Sequence, residues 1–180
     1  MEKQTQVALR MHGDFEWNVK NQLFFETTIR ILDIKMGEVV REDKSGTYGI
    51  SVYGSTYHYP LSQYYIRIGF GCNPERAEEL SKTVVDVITE LKSKGISEDY
   101  IKKVIEQYKR EKETSIKKNS FWLGTISSAD INNDKLEEKI NFDKIVEKYT
   151  TEDFKNLMNQ YFTFNNYAKF VLLPEAMQKK

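Results

Sequence analysis

The segment that decides the fold class is residues 48–72, which reads YGISVYGSTYHYPLSQYYIRIGFGC. Apolar and polar side chains alternate in both halves of this segment, as in strands that bury one face. One face of the first half carries Tyr48, Ile50, Val52 and Gly54, and one face of the second half carries Tyr64, Ile66, Ile68, Phe70 and Cys72. Because only a short turn around Pro60 separates the two halves, the segment predicts an antiparallel β-hairpin.

The residues before the hairpin predict a strand followed by a long helix. Residues 6–11 alternate in polarity and indicate a half-buried strand, after which Gly13-Asp14 predicts a turn. Over about residues 18–36 the apolar side chains recur at helical spacing, and Gly37 is a typical helix end.

The residues after the hairpin predict several helices and one closing strand. Asn73-Pro74 is typical of a helix start, and Gly95 is typical of the end of that helix. Later helices are predicted to begin after Ser97 and after Thr151, which would serve as their N-caps. Residues 167–173 then form an apolar strand.

This order of elements predicts an α+β fold, with an antiparallel sheet and helices packed on one face. No stretch of the chain has the composition of a linker, and no segment repeats. We therefore expect a single domain over residues 1–180.

Charge and hydropathy exclude two classes of partner. Lys plus Arg and Asp plus Glu number 27 each, so no net field favours nucleic acid or an anionic membrane surface. No apolar run approaches the ~18 residues that a membrane span needs. We therefore expect no nucleic-acid partner and no membrane partner.

The sequence contains no recognisable set of residues that would catalyse a reaction without another domain. It has two histidines and contains neither H-E-x-x-H nor H-x-x-E-H. His12, Asp14 and Glu16 imitate a set of metal ligands, but the predicted turn between them argues against a site. The single cysteine, Cys72, alternates with apolar neighbours, which predicts a buried side chain and not a reactive thiolate. We expect no metal and no cofactor in this chain.

Arg41 and Tyr48 are the candidate site residues. A charged loop that begins at Arg41 is predicted to leave the helix, turn at Ser45-Gly46 and enter the hairpin at Tyr48. A guanidinium and a phenol held near each other suit the binding of a peptide carbonyl or a developing oxyanion. The alternative is a local role for each, with Arg41 paired to Glu38 or Asp43 and Tyr48 packed as a core ring.

Five segments resemble the last domain of the pitrilysin/insulinase-type zinc metallopeptidases. The first, residues 41–49, carries Arg41 and Tyr48 at an Arg-x6-Tyr spacing, and the second is residues 68–76 with the sequence IGFGCNPER. The others are FWL at residues 121–123, TTED at residues 150–153 and VLLPE at residues 171–175. The resemblance covers the chain from the first strand to the last and is closest to the long bacterial members.

The resemblance implies a function for the two candidate residues. Members of this family are built from similar α+β domains whose two halves close over a chamber that admits peptides. The zinc ligands and the general base lie in the first domain, which is absent here, so this chain alone is predicted to be inactive. By resemblance, Tyr48 donates a hydrogen bond to the oxyanion of the tetrahedral intermediate, and Arg41 binds the substrate or stabilises the same charge.

The resemblance also implies the partners. These are the remaining domains of the same peptidase and a peptide substrate, with zinc held in the N-terminal part of the full-length enzyme, while self-association of the isolated domain stays open. The alternative function is a noncatalytic structural or interaction module of the same superfamily. The presence of both Arg41 and Tyr48 favours the catalytic contribution. The compartment is unknown from these residues, and the bacterial periplasm is expected if the full-length protein carries a signal peptide.

Overall fold

The computed structural model describes the backbone of residues 4–43 and 47–174, and the side chains of residues 4–40 and 49–174. The strands are β1 (Thr5–Asp14), β2 (Thr47–Tyr57), β3 (Gln63–Cys72) and β4 (Tyr167–Leu172). The helices are α1 (Val19–Asp43), α2 (Ala77–Lys94), α3 (Glu98–Ser115), α4 (Asn119–Asn132), α5 (Leu136–Ile140), α6 (Phe142–Val146) and α7 (Thr151–Tyr161). Among these helices, none combines the length and apolar character that crossing a bilayer requires.

Within the described residues the strands form a sheet in the order β2-β3-β1-β4, and each neighbouring pair is antiparallel. The predicted hairpin is present, with Val52 opposite Ile68 and Tyr57 opposite Gln63. The turn contains a cis peptide bond before Pro60. The hairpin prediction from residues 48–72 is therefore confirmed.

The helices cover one face of the sheet, and the core lies between the two layers. Alternate residues of β1 and β3 point into this core, since Leu9, Met11, Ile66 and Ile68 are fully buried. The side chains that meet them from the helices include Phe25, Ile31, Leu32, Met36, Leu80, Ile88, Phe154 and Met158. The opposite face of the sheet carries exposed side chains such as Arg10 and Tyr53. The predicted α+β class with helices on one face is confirmed.

Helix α1 is longer than its sequence pattern predicted. It passes through Gly37 and continues to Asp43, so the prediction of a helix end at Gly37 and of a loop starting at Arg41 was wrong. A glycine inside a helix costs about 1 kcal/mol. Met36 and Val40 flank it and are almost fully buried, and burying two such side chains outweighs that cost.

The turn predicted at Gly13-Asp14 is also wrong, because β1 continues through both residues. Gly13 lies opposite Tyr64 and Asp14 lies opposite Gln63. A Cβ atom at Gly13 would lie 2.8 Å from Cε1 of Tyr64, a separation that real Cβ atoms do not show. The glycine therefore makes room for a neighbouring ring and does not reverse the chain.

Three helix starts differ from the prediction in detail. Ser97 stands at the N-cap position of α3, but its side chain makes no cap hydrogen bond. Asn73 makes no side-chain cap, and a 3-10 turn at Pro74–Arg76 precedes α2. The cap of α7 is Thr150 and not Thr151, because the Thr150 hydroxyl accepts a hydrogen bond from the backbone N–H of Asp153 at 3.1 Å. The Asp153 carboxylate accepts the N–H of Thr150 in return, which completes a capping box.

Candidate functional site

The predicted site residues lie at the two ends of one connection. Arg41 belongs to the last turn of α1, and Tyr48 is the second residue of β2. The side chains of both lie outside the described residues, as does the backbone of residues 44–46. Their proximity to each other therefore stays a prediction.

The elements that carry Arg41 and Tyr48 are joined to each other and to the core. The carboxylate of Asp33 on α1 accepts a hydrogen bond from the backbone N–H of Val52 on β2 at 2.7 Å. Because β2 is an edge strand, this bond satisfies a donor that no neighbouring strand of the described sheet pairs. Helix α1 and strand β2 thus belong to one packed unit.

The start of β2 has irregular backbone geometry next to Tyr48. The pairing register with β3 shifts between Thr47 and Ile50, and Gly49 has a φ of 124°. Such a φ is costly for residues other than glycine. A register shift of this kind is typical of a β-bulge.

The two histidines and the cysteine were considered as metal ligands or as a nucleophile, and their surroundings are typical of side chains with a structural role. His12 is exposed on β1, and His58 stacks on Trp17 with ring centroids 5.1 Å apart. Cys72 is fully buried, and burial raises the pKa of its thiol, as expected for a side chain that packs as a hydrophobe. Within the described part of the chain, no three His, Cys, Asp or Glu side chains are grouped so as to hold a metal ion.

A cleft of about 300 Å³ lies between α1, α3 and α4, and the sequence reasoning missed it. Its apolar wall includes Val19, Leu23 and Phe142. Its polar lining consists of Gln22, Glu26, Arg30, Tyr108, Glu111, Thr125, Ser128 and Lys139. The one signal in the sequence was the spacing of Gln22, Glu26 and Arg30, which places all three on one face of α1.

The two cations of the cleft each have an anionic partner. Arg30 Nη1 lies 2.6 Å from Glu111 Oε1, and the guanidinium also lies 4.2 Å from the centroid of the Tyr108 ring. Lys139 Nζ lies 3.0 Å from Asp134 Oδ2, and both side chains are largely buried. The first pair links α1 to α3, and the second links α5 to the turn before it. Lys139 Nζ also donates a hydrogen bond to Gln22 Oε1 on α1 at 3.4 Å.

Burial alters the acid–base properties of two groups here. Burial raises the pKa of the Glu26 carboxyl, although Arg30 and Lys139 both act to lower it. Burial also raises the pKa of Tyr108 to about 12, with the charge of Glu26 acting in the same direction. Tyr108 is therefore neutral at physiological pH.

Helix α4 exposes most of its large apolar side chains. Gly124, Thr125 and Ser128 line the cleft. The side chains that point away from the body are largely exposed: Leu123 (71%), Ile131 (66%), Ile126 (50%) and Trp122 (38%). We call these four residues the α4 outer face. A surface helix usually turns its apolar stripe towards the core, and these four large apolar side chains do not face it.

Known proteins resemble this chain in sequence. The family described as the peptidase M16 inactive domain matches residues 2–108. The probable zinc protease PqqL of Haemophilus influenzae is 26% identical over 127 residues, which are 71% of this chain and 13% of that protein. The chain thus spans a small part of the length of this curated relative.

Solved structures share the fold. The periplasmic protease PqqL from Escherichia coli has a TM-score of 0.80 at 22% identity, with 97% of this chain and 19% of that chain covered. The peptidase M16 inactive domain from Pseudomonas fluorescens has a TM-score of 0.75 at 19% identity, covering 99% of this chain and 43% of that chain. A putative zinc protease from Bordetella pertussis has a TM-score of 0.72 at 14% identity, covering 95% and 93%.

The family match extends over more than half of the chain and includes both strands of the hairpin and helices α1 and α2. The resemblance to zinc metallopeptidases that the sequence motifs indicated is thereby confirmed. This chain belongs to the peptidase M16 family, in the group described as its inactive domain.

Proposed function

We propose that this chain is the C-terminal, substrate-contributing domain of a zinc metalloendopeptidase that hydrolyses peptides in a closed chamber. The observation that carries the proposal is the Arg-x6-Tyr spacing of Arg41 and Tyr48, which falls inside the family match over residues 2–108. The two residues stand at the end of α1 and the start of β2, so one short connection holds both.

In this proposal the zinc and the general base lie in another domain of the same peptidase. The chain spans 13% of its curated relative PqqL, so a protein of that kind has ample sequence for such a domain. Hydrolysis of a peptide bond at zinc passes through a tetrahedral intermediate that bears an oxyanion. The Tyr48 hydroxyl donates a hydrogen bond to that oxygen, and the Arg41 guanidinium binds the substrate backbone or the same charge.

The alternative is a noncatalytic module of the same superfamily, which shapes a chamber or docks a partner without touching the reacting atoms. The description of the matching family as inactive fits both candidate functions, because neither places the zinc chemistry in this domain. An upstream H-x-x-E-H motif in the natural reading frame distinguishes them, since only the peptidase needs it.

A comparison of the intact protein with residues 1–180 tests the proposal. We expect the intact protein to contain about one zinc ion per chain by elemental analysis and to cleave unfolded peptides. Residues 1–180 alone should do neither, because this chain contains no H-x-x-E-H motif. Zinc-free intact protein without cleavage would instead support the noncatalytic module.

We further propose that the α4 outer face docks against a neighbouring domain of the same peptidase. Exposed apolar clusters on a domain mark interaction surfaces, and each buried Leu or Ile side chain contributes about 1.5–3 kcal/mol. The occupant is another domain and not a second copy, because the chain covers only 19% of the Escherichia coli PqqL structure that shares its fold. Most of a protein of that kind is therefore available to cover the face.

Glutamate substitution of both Leu123 and Ile126 tests the docking. In the intact protein we expect the double variant to lower the melting temperature of the docked unit and to increase cleavage by an added protease near α4. In residues 1–180 alone the same variant should leave the melting temperature nearly unchanged, because both side chains are already exposed.

The matched control is Leu61→Glu, which introduces a charge at the hairpin tip, where the side chain is 64% exposed. This variant should change neither the melting temperature nor the cleavage by added protease, in the intact protein or in residues 1–180. Two outcomes would count against docking to another domain: an intact protein that is insensitive to the double variant, or an isolated chain whose dimers the double variant disperses. The second outcome would make the face a contact between copies.

A further inference from the structure

The open face of the sheet carries two arginines side by side. Arg10 on β1 lies opposite Arg67 on β3 in the antiparallel register, and both side chains are exposed. Side chains that face each other across two antiparallel strands have Cβ atoms about 5 Å apart. Like charges in that position repel each other and destabilise the sheet. We call Arg10 and Arg67 the arginine pair.

The described part of the chain does not neutralise the arginine pair. Within residues 4–40 and 49–174, no carboxylate oxygen lies within the 4.0 Å of an ion pair from either guanidinium. Asp14 is the one acidic residue of the four strands, and it is four residues from Arg10 along β1, a span of about 13 Å. Water and salt screen most of the attraction at that separation. The pair therefore keeps two uncompensated positive charges.

An apolar strip on β4 adjoins the arginine pair. Phe170 lies opposite Ala8 in the register of β4 with β1, and Leu172 follows on the same side of the sheet. Their side chains are 53% and 65% exposed. Arg10 Cζ lies 5.1 Å from the centroid of the Phe170 ring, so the strip touches the pair. A ring against a guanidinium leaves its charge intact and its N–H donors available to an outside acceptor.

The chemistry of this surface selects a peptide with acidic side chains. A guanidinium binds a carboxylate through two parallel hydrogen bonds, so two adjacent guanidinium groups suit neighbouring carboxylates. An inorganic anion would leave the apolar strip uncovered. The chain carries 27 basic and 27 acidic residues and lacks the excess of Lys and Arg that is typical of nucleic-acid-binding domains. A peptide segment contacts both parts of the surface, through its carboxylates and through its apolar side chains.

We propose that the arginine pair and the apolar strip of Phe170 and Leu172 together bind an extended peptide segment that carries acidic side chains. The surface crosses the neighbouring strands β3, β1 and β4, which makes it about 10 Å wide. An extended peptide covers that width with about three or four residues. The α4 outer face belongs to the helical layer on the other side of the sheet, so docking there leaves this surface open.

The test is a titration of residues 1–180 with a pentapeptide of sequence Glu-Ala-Glu-Ala-Leu, blocked at both ends, followed by backbone amide chemical shifts. An extended conformation places both glutamates and the leucine on one side of this peptide. We expect saturable shifts at residues of β1, β3 and β4, and weaker binding as sodium chloride is added, because salt screens exposed charges. The counterpart with glutamine in place of both glutamates should bind about tenfold more weakly.

Variants of the arginine pair separate peptide binding from a structural role. Arg10→Gln and Arg67→Gln should each weaken binding of the acidic peptide about fivefold, and the double variant about tenfold or more. In the free chain, Arg67→Gln removes the like-charge repulsion while Arg10 keeps its ring contact, so we expect a melting temperature that is unchanged or higher. A structural role for the pair would lower the melting temperature of this variant, and that result would count against the proposal.

Arg110→Gln is the matched control, because Arg110 is exposed on α3 in the helical layer. It should leave binding of the acidic peptide unchanged. Equal affinity for the acidic and the glutamine peptides, or unchanged affinity in the double variant, would overturn the proposal. A thymidine oligonucleotide that binds as tightly as the acidic peptide would also overturn it, since the surface would then be a general anion site. If the double variant does not fold, the two single variants serve for the same comparison.

The assignment of this peptide as a substrate rests on the proposed function, whereas its binding to residues 1–180 does not. In the intact protein, the double variant should lower the ratio of kcat/KM for the acidic peptide to that for the glutamine peptide about tenfold. A zinc-free, inactive protein whose residues 1–180 still bind the acidic peptide would refute the peptidase role alone. A zinc-containing, active protein without this preference, whose residues 1–180 do not bind the peptide, would refute the acidic-peptide site alone.

Discussion

Under the proposed function, replacing Tyr48 by phenylalanine in the intact protein is expected to lower kcat by about 10²–10³-fold while leaving the zinc content unchanged. The change removes one hydroxyl, which in the proposed function donates to the oxyanion that develops in the transition state. An interaction made mainly in the transition state affects kcat more than substrate binding. Arg41→Ala should also lower kcat, and it should raise KM in addition if the guanidinium binds the substrate backbone.

Tyr53→Phe is the matched control for this experiment. It makes the same chemical change on the same strand, and the side chain of Tyr53 is 57% exposed on the open face of the sheet. We expect wild-type kcat and zinc content in that variant. Wild-type turnover in both Tyr48→Phe and Arg41→Ala would remove the catalytic role and would favour the noncatalytic module.

Replacing Phe25 by alanine is expected to destabilise the chain by about 3–5 kcal/mol. Phe25 is fully buried on α1, and its ring centroid lies 5.8 Å from that of Phe15, 6.0 Å from that of Tyr64 and 5.4 Å from that of Tyr161. The substitution removes a whole ring from a close-packed aromatic cluster, and the cavity that it leaves adds to the loss of buried apolar surface.

The same variant tests the proposal that residues 1–180 form one domain. The rings around Phe25 come from the residue that follows β1, from β3 and from α7, which lie far apart in the sequence. If these elements unfold together, urea denaturation followed by far-UV circular dichroism and by tyrosine fluorescence should give coincident transitions, both shifted equally in Phe25→Ala.

Tyr57→Ala provides the comparison for Phe25→Ala, because its side chain is 53% exposed at the end of β2. It should change the free energy of unfolding by no more than about 0.5 kcal/mol. Two transitions that separate in wild type or in Phe25→Ala would contradict a single domain.

Local polarity patterns were sufficient to predict much of the fold. The hairpin of residues 48–72 was recognisable because alternation has a period of two and the turn between the halves is short. The end of α2 at Gly95 followed from the same kind of local signal. The predictions failed where a tertiary contact overrode a local preference, as at Gly37, where burial of Met36 and Val40 keeps the helix intact.

For the candidate site, too, the sequence determined some features and the tertiary structure decided others. The residues alone determined that Arg41 and Tyr48 follow an Arg-x6-Tyr spacing and that no zinc motif accompanies them, because both are properties of the order of residues along the chain. Only the tertiary structure placed Glu26 of α1 beside Lys139 of α5, and only it left the large apolar side chains of the α4 outer face exposed. Those features depend on which helix packs against which, and the free energy of that packing is summed over the whole core and is not encoded by any one segment.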